Sequence, residues 1–173
     1  MNICYISNSA SPSNNASSLQ IAKLCEYISK DGHIVKLILP YTGYKQNFFN
    51  FYNIKYKYKI ERLKYFKKFP IGINYYLYSI FAILKSNYMK QDLFLTRNFF
   101  TSFILSLLFK KHILEIHDDI RIESRIVQFL VKYIRILNFN SLIKIVTTTK
   151  SLKRKYLTYG VVKKKIHILH NAS

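Results

Sequence analysis

MNICYISNSASPSNNASSLQIAKLCEYISKDGHIVKLILP, residues 1–40, is the stretch whose reading decides the fold. Ile3 to Ile6 is a short β-prone apolar run, and Ser7 to Ser18 is a loop of small polar residues. Ile21, Leu24, Cys25 and Ile28 then recur at helical spacing. The helix should stop near Asp31-Gly32, where glycine can take the left-handed cap conformation. Ile34 to Leu39 follows as a nearly continuous apolar strand ended by Pro40, the pattern of a parallel strand buried on both faces. Strand, loop, helix and strand make a βαβ unit.

The same alternation continues outward. Residues 41–70 are rich in aromatics and lysine, and Ile54, Tyr56, Tyr58 and Ile60 alternate with Lys55, Lys57 and Lys59. That two-residue period predicts a half-buried strand with its lysines outward, which suits a sheet edge. The later periodicities predict a helix over Tyr75–Tyr88, a strand over Asp92–Thr96, a helix over Phe99–Phe109 and a strand over Ile113–His117. They continue with a helix over Ile120–Leu137, a strand over Lys144–Thr148, a helix over Ser151–Tyr159 ended by Gly160, and a last strand over Lys165–Leu169. Strands that read as apolar runs between helices indicate an α/β, Rossmann-like three-layer domain with a mostly parallel sheet, spanning residues 1–173. No linker divides the chain, and no internal repeat is visible.

A length of 173 residues suffices for one ordinary core, and 50% hydrophobic residues exclude a disordered chain. The 28 Lys and Arg against 8 Asp and Glu give a net charge of +20, which points toward a polyanionic neighbour: nucleic acid, a phospholipid surface or a phosphate-bearing substrate. Ile, Lys, Asn, Tyr and Phe make up 87 of the 173 residues, the skew of an AT-rich genome, so part of that charge is compositional. Cys4 and Cys25 lie far apart in apolar surroundings and read as buried free thiols in a reducing compartment. The first residues lack the pattern of a signal peptide. The apolar stretches 73–84 and 99–109 are shorter than a bilayer span needs.

Ligands of open parallel sheets bind beyond the carboxyl ends of the strands. The loop Ser7–Ser18, with Ser11, Asn14, Asn15 and Ser17, would let a phosphate or sugar approach backbone N–H groups at a helix N-terminus, or it is a solvated loop with a helix cap. It contains neither GxGxxG nor GxxxxGK[ST], which removes support for a nicotinamide dehydrogenase or a P-loop nucleotidase. Arg97-Asn98 and Glu115-Ile116-His117-Asp118-Asp119 follow two further strands. Glu115 and His117 share a strand face, with Glu115 placed to balance Arg97. His117 could hydrogen-bond a sugar hydroxyl, serve as acid or base, or simply cap the following helix. Thr147-Thr148-Thr149 and His170-Asn171 follow the last two strands. No metal-ligand spacing and no nucleophile–base arrangement stands out.

Residues 15–25, Asp31-Gly32-His33-Ile34-Val35, Thr96-Arg97-Asn98, Leu114-Glu115-Ile116-His117-Asp118, Thr147 to Leu152 with Gly160, and Lys165 to Asn171 together resemble the amino-terminal domain of family 4 glycosyltransferases. The matches run in order over nearly the whole chain. The resemblance implies half of a GT-B fold, the acceptor-side half of a retaining enzyme that takes sugar from a nucleotide-sugar in cell-surface polysaccharide or glycolipid synthesis. It implies no resident metal or other cofactor. His117 would be the cleft histidine that contacts the transferred sugar. Ser11, Asn14, Asn15, Ser17, Arg97 and Asp118 would line the substrate, and Thr149 and Asn171 would lie at the hinge or cleft. The first loop lacks the Gly-Gly pair of many relatives. The chain also ends at Ser173, where the family would cross to its carboxy-terminal nucleotide-sugar-binding domain, so it reads as truncated and, alone, inactive.

Arg121, Arg125, Lys132 and Arg135 would form one basic stripe along the 120–137 helix, fitting either an anionic membrane surface or an ordinary solvated face. With a lipid-linked acceptor, this implies a cytoplasmic protein peripheral at the inner membrane face. The reading from a different class is a non-catalytic basic module for nucleic acid or membrane. Nucleic acid is disfavoured because the 54–60 alternation sends lysines and tyrosines to opposite faces.

Overall fold

The structure, a computed structural model, describes residues 1–9, 11–41, 43, 46–64, 71–86 and 90–169. Seven strands form a parallel sheet in the order β3-β2-β1-β4-β5-β6-β7: β1 (Asn2–Ile6), β2 (Ile34–Pro40), β3 (Lys59–Leu63), β4 (Leu93–Thr96), β5 (His112–Ile116), β6 (Leu142–Thr147) and β7 (Ile166–Ile168). With the intervening helices this is the expected Rossmann-like α/β fold. By internal contacts the chain divides into two compact units, residues 1–94 and 95–173.

In the first unit β1 pairs with β2 from Asn2↔Ile34 to Ile6↔Ile38, and β2 pairs with β3 from Lys36↔Lys59 to Pro40↔Leu63. The core holds Cys4, Tyr5, Ile6, Leu37, Ile38 and Leu39, with Ile21, Ala22 and Cys25 from α1 (Ala16–Lys30) above the strands. Helix α1 ends where expected, with Asp31 as its cap and Gly32 at φ 82°. It begins earlier than expected, so Ser17 and Ser18 lie in its first turn rather than in the loop. A short helix, α2 (Phe48–Phe51), follows β2, and its N-cap Asn47 accepts hydrogen bonds from the amides of Phe49 and Asn50.

The edge strand departs from its expected position. Residues 54–58 are turn and loop, and the strand occupies Lys59–Leu63. Ile54 and Tyr58 are buried while Tyr56 is exposed, so the lysine–aromatic alternation is not a strand pleat. What fixes β3 is charge. Lys36, buried on β2, meets Glu61 at 2.6 Å, and Lys85 from α3 (Ile71–Ser86) approaches the same carboxylate at 3.4 Å. Helix α3 starts a turn before the expected 75, and Tyr88 lies outside the described residues.

In the second unit β5 pairs with β6 and β6 with β7. Leu114, Ile116, Leu142, Ile145 and Ile166 from these strands pack with Phe99, Val127, Leu130, Val131 and Tyr156. Helix α4 (Phe99–Leu107) is capped by Asn98, whose carboxamide oxygen accepts from the amides of Phe100 and Thr101. The long helix expected over 120–137 is three pieces: a 3-10 turn at Ile120–Ile122, helix α5 at Arg125–Lys132 and a second 3-10 turn at Ile136–Asn138. Asp119 and Ser124 each cap a new start, and Arg135 breaks the far end at φ 53°. The basic stripe is accordingly not one helical face: only Arg125 and Lys132 lie on α5. Helix α6 (Lys150–Thr158) ends near Gly160, at φ 80°.

Candidate functional site

Arg97 follows β4 directly, and its neighbour Asn98 is held by its own amide on the Thr96 hydroxyl and by its capping of α4. From that fixed turn the Arg97 guanidinium Nε donates to Glu115 Oε2 at 2.8 Å. Two residues along the same strand face, His117 brings Nε2 to 3.6 Å from the same oxygen. Glu115 is 12% exposed and His117 30%, so the carboxylate lies inside and the imidazole edge reaches solvent. Burial opposes ionisation of Glu115, but His117 and the Arg97 charge outweigh it and hold the carboxyl below its ordinary range. The expected pairing of Glu115 with Arg97 is present, and the shared strand face brings His117 beside the same carboxylate. An imidazole backed by an ionised carboxylate is oriented and can act as hydrogen-bond donor or proton carrier at the end of β5.

The next residues form a second charged knot. The Asp118 carboxylate belongs to an exposed residue, while its backbone carbonyl accepts from the Tyr156 hydroxyl. Asp119 receives the Arg121 guanidinium at 2.8 and 3.0 Å, the Lys155 ammonium at 3.0 Å and the Tyr159 hydroxyl at 3.0 Å. Those donors, Arg121 foremost, hold its carboxyl far below the carboxylate range. Glu123 goes the other way: burial pushes its carboxyl up, and the nearby Asp118 charge adds to the push. Asp119 stands in the motif quoted from the sequence, but its partners Arg121, Lys155 and Tyr159, 2 to 40 residues away, are not signalled there, and neither Tyr159 nor Glu123 stands out by spacing.

Thr149 caps α6, its hydroxyl accepting from the Leu152 amide at 3.1 Å. No described contact joins it to Arg97, Glu115 or His117. Asn171, with His170, lies outside the described residues.

The first unit holds the other expected site residues, after β1. Ser11 is buried and its hydroxyl is 3.0 Å from the Tyr52 hydroxyl, which also accepts from the Ser13 amide at 2.8 Å and donates to the Ser13 carbonyl at 2.9 Å. Ser13 in turn donates to the Ser18 hydroxyl at 2.9 Å. Ser11 therefore shapes the loop from inside. Asn14 and Asn15 are exposed, Asn15 being the N-cap residue of α1 without a side-chain capping bond. Asn8 Oδ1 is a buried acceptor with no donor among the described residues. Tyr52 was missed in sequence because nothing in a run of Phe, Tyr and Asn marks which ring returns 39 residues to hold a loop.

Among the described residues no cluster of His, Cys, Asp or Glu could hold a metal ion, and no helix is long and apolar enough to cross a membrane.

No protein-family model and no curated protein matches the chain. Solved structures match its fold. The lipopolysaccharide outer core galactosyltransferase WaaB, in its apo form, superposes on 100% of the chain with a TM-score of 0.69 at 7% identity. Anabaena HepE in complex with UDP and glucose gives 0.61 over 100% at 12% identity. UDP-GlcNAc 2-epimerase from Neisseria meningitidis bound to UDP-GlcNAc gives 0.63 over 97% at 12% identity. The chain spans 45–46% of the length of these structures. What these structures share with the chain is the fold, a Rossmann-like α/β domain.

Proposed function

We propose that this chain is the acceptor-side domain of a retaining glycosyltransferase that uses a nucleotide-sugar donor in the synthesis of a cell-surface polysaccharide or glycolipid. The observation that carries the reading is the Arg97–Glu115–His117 arrangement, in which a half-buried ionised carboxylate lies beside an accessible imidazole just past a strand's carboxyl end. In this reading His117 is the catalytic residue that hydrogen-bonds the transferred sugar, Arg97 and Asp118 flank it, and the nucleotide-sugar is a substrate rather than a resident cofactor. Support from the fold comes through the galactosyltransferase and the structures holding UDP and glucose or UDP-GlcNAc that it resembles. The family 4 assignment rests on the residues quoted above.

Charge that develops on a departing nucleoside diphosphate must be met by groups fixed in place before reaction. In the proposed enzyme a carboxy-terminal nucleotide-sugar-binding domain supplies them. The 173 residues alone should therefore give no sugar transfer and no saturable nucleotide-sugar binding by calorimetry. Joined to a compatible carboxy-terminal domain, they should gain both. Robust turnover by the 173 residues alone, or a joined enzyme indifferent to His117, would refute the reading.

A further inference from the structure

Helix α5 buries Val127, Leu130 and Val131 against the second unit's core, as an eight-residue amphipathic helix should. Its outer side is not polar. Ile126 is 53% exposed and Phe129 52%, and Tyr133, one residue past the helix, is 75% exposed. At about 100° per residue these three positions fall within roughly 60° of one another, and the Phe129 and Tyr133 rings lie 5.3 Å apart. Ile122, on the preceding 3-10 turn, is 76% exposed. Arg125, Lys132 and Arg135 are exposed beside this strip, and residues 124–140 contain no carboxylate.

We propose that the strip formed by Ile122, Ile126, Phe129 and Tyr133 inserts into the headgroup region of an anionic bilayer, with Arg125, Lys132 and Arg135 against the lipid phosphates. An apolar strip bordered by cations is the pattern of a helix lying in a membrane interface. Complementarity of charge selects this occupant. A second copy would bring the same cations onto themselves, and four side chains fall well short of the ~20–30 residues a side of a stable protein interface. The strip differs from the basic stripe expected from sequence: apolar side chains provide the anchorage, and Arg121 is occupied by Asp119. The inference does not rest on the sugar-transfer reading, since docking is read without donor or acceptor.

The test uses the 173-residue chain with vesicles of phosphatidylcholine, with and without phosphatidylglycerol. Sedimentation should show binding to the anionic vesicles. The Ile126→Ser/Phe129→Ser/Tyr133→Ser variant keeps the full charge and should bind about tenfold more weakly or worse, with an unchanged circular dichroism spectrum and thermal midpoint. The chain has no tryptophan, so Phe129→Trp introduces a sole reporter. Its emission should shift to the blue with anionic vesicles, while that of Tyr27→Trp, at an exposed position on α1, should not. Equal binding by the triple variant would reduce the effect to charge alone and overturn the proposal. So would an unshifted Phe129→Trp emission. Absence of vesicle binding together with a self-association that the triple variant abolishes would assign the strip to a contact between copies instead.

Discussion

The loop after β1 and the turn after β5 occupy equivalent places in their two units, yet they are held by different physics. After β1 the ties are neutral: hydroxyls of Ser11, Ser13, Ser18 and Tyr52 and the backbone of Ser13 satisfy one another. After β5 they are ionic: Glu115 with Arg97, beside the His117 imidazole, and Asp119 with Arg121 and Lys155. Neutral hydrogen bonds fix a shape almost independently of pH and salt. Charged ones leave a residual field at the surface and change with protonation, which is what the sugar-transfer role proposed for this turn would need.

The largest expected effect follows from that contrast. In an enzyme completed by a carboxy-terminal domain, His117→Ala should lower kcat by about a hundredfold or more while the thermal midpoint stays put. Ser11→Ala should leave kcat within a fewfold. A reversed ranking would put the chemistry in the first loop.

Stability separates the two regions next. Asp119→Ala removes the shared acceptor of Arg121, Lys155 and Tyr159 and, with those cations exposed, should cost about 1–2 kcal/mol in denaturant unfolding at neutral pH. The Asp119 carboxyl is depressed in the folded protein, so its contribution is present above the ordinary carboxylate pKa and is lost as pH falls below it. The deficit of Asp119→Ala should accordingly shrink in acid. Tyr52→Phe removes the neutral clamp and should cost about 1–2 kcal/mol, unchanged over the same pH range. Equal acid sensitivity in both variants would erase the distinction between the regions.

A smaller effect lies at His112, wholly buried on β5 between the Ser102 hydroxyl at 2.8 Å and the Lys110 carbonyl at 2.9 Å. Burial pushes its pKa down to about 4 from 6.5. The unfolded chain takes up this proton first, so stability is full above 6.5 and falls as pH drops from there toward 4. NMR should find this imidazole still neutral near pH 5.5, about one unit below the ordinary histidine range; a ring that titrates normally would contradict its burial. The smallest effect is at Thr149, where loss of the cap in Thr149→Ala should cost about 1 kcal/mol.

Much of this molecule was legible in its sequence. Six of the seven strands were placed because parallel strands are apolar runs and Gly32 and Gly160 mark helix ends at positive φ. Period two put Glu115 and His117 on one strand face, and Glu115 does balance Arg97 as expected. Where spacing failed, longer-range contacts had taken over. The 54–60 alternation looked like a strand, but the ladder formed five residues later, where Glu61 could meet Lys36. The 120–137 periodicity was genuine in pieces, and the caps at Asp119 and Ser124 divided it. Tyr52 carried no local signal at all.

Cys4 and Cys25 are wholly buried thiols, not joined in a disulfide, and both lie within residues 1–94. Burial pushes the Cys4 thiol up to about 12, so almost no thiolate exists near neutrality. A sulfhydryl reagent can reach either sulfur only when the surrounding structure opens. Alkylation rates therefore time the opening of the structure around these two sulfurs, a native-state clock that needs no added probe.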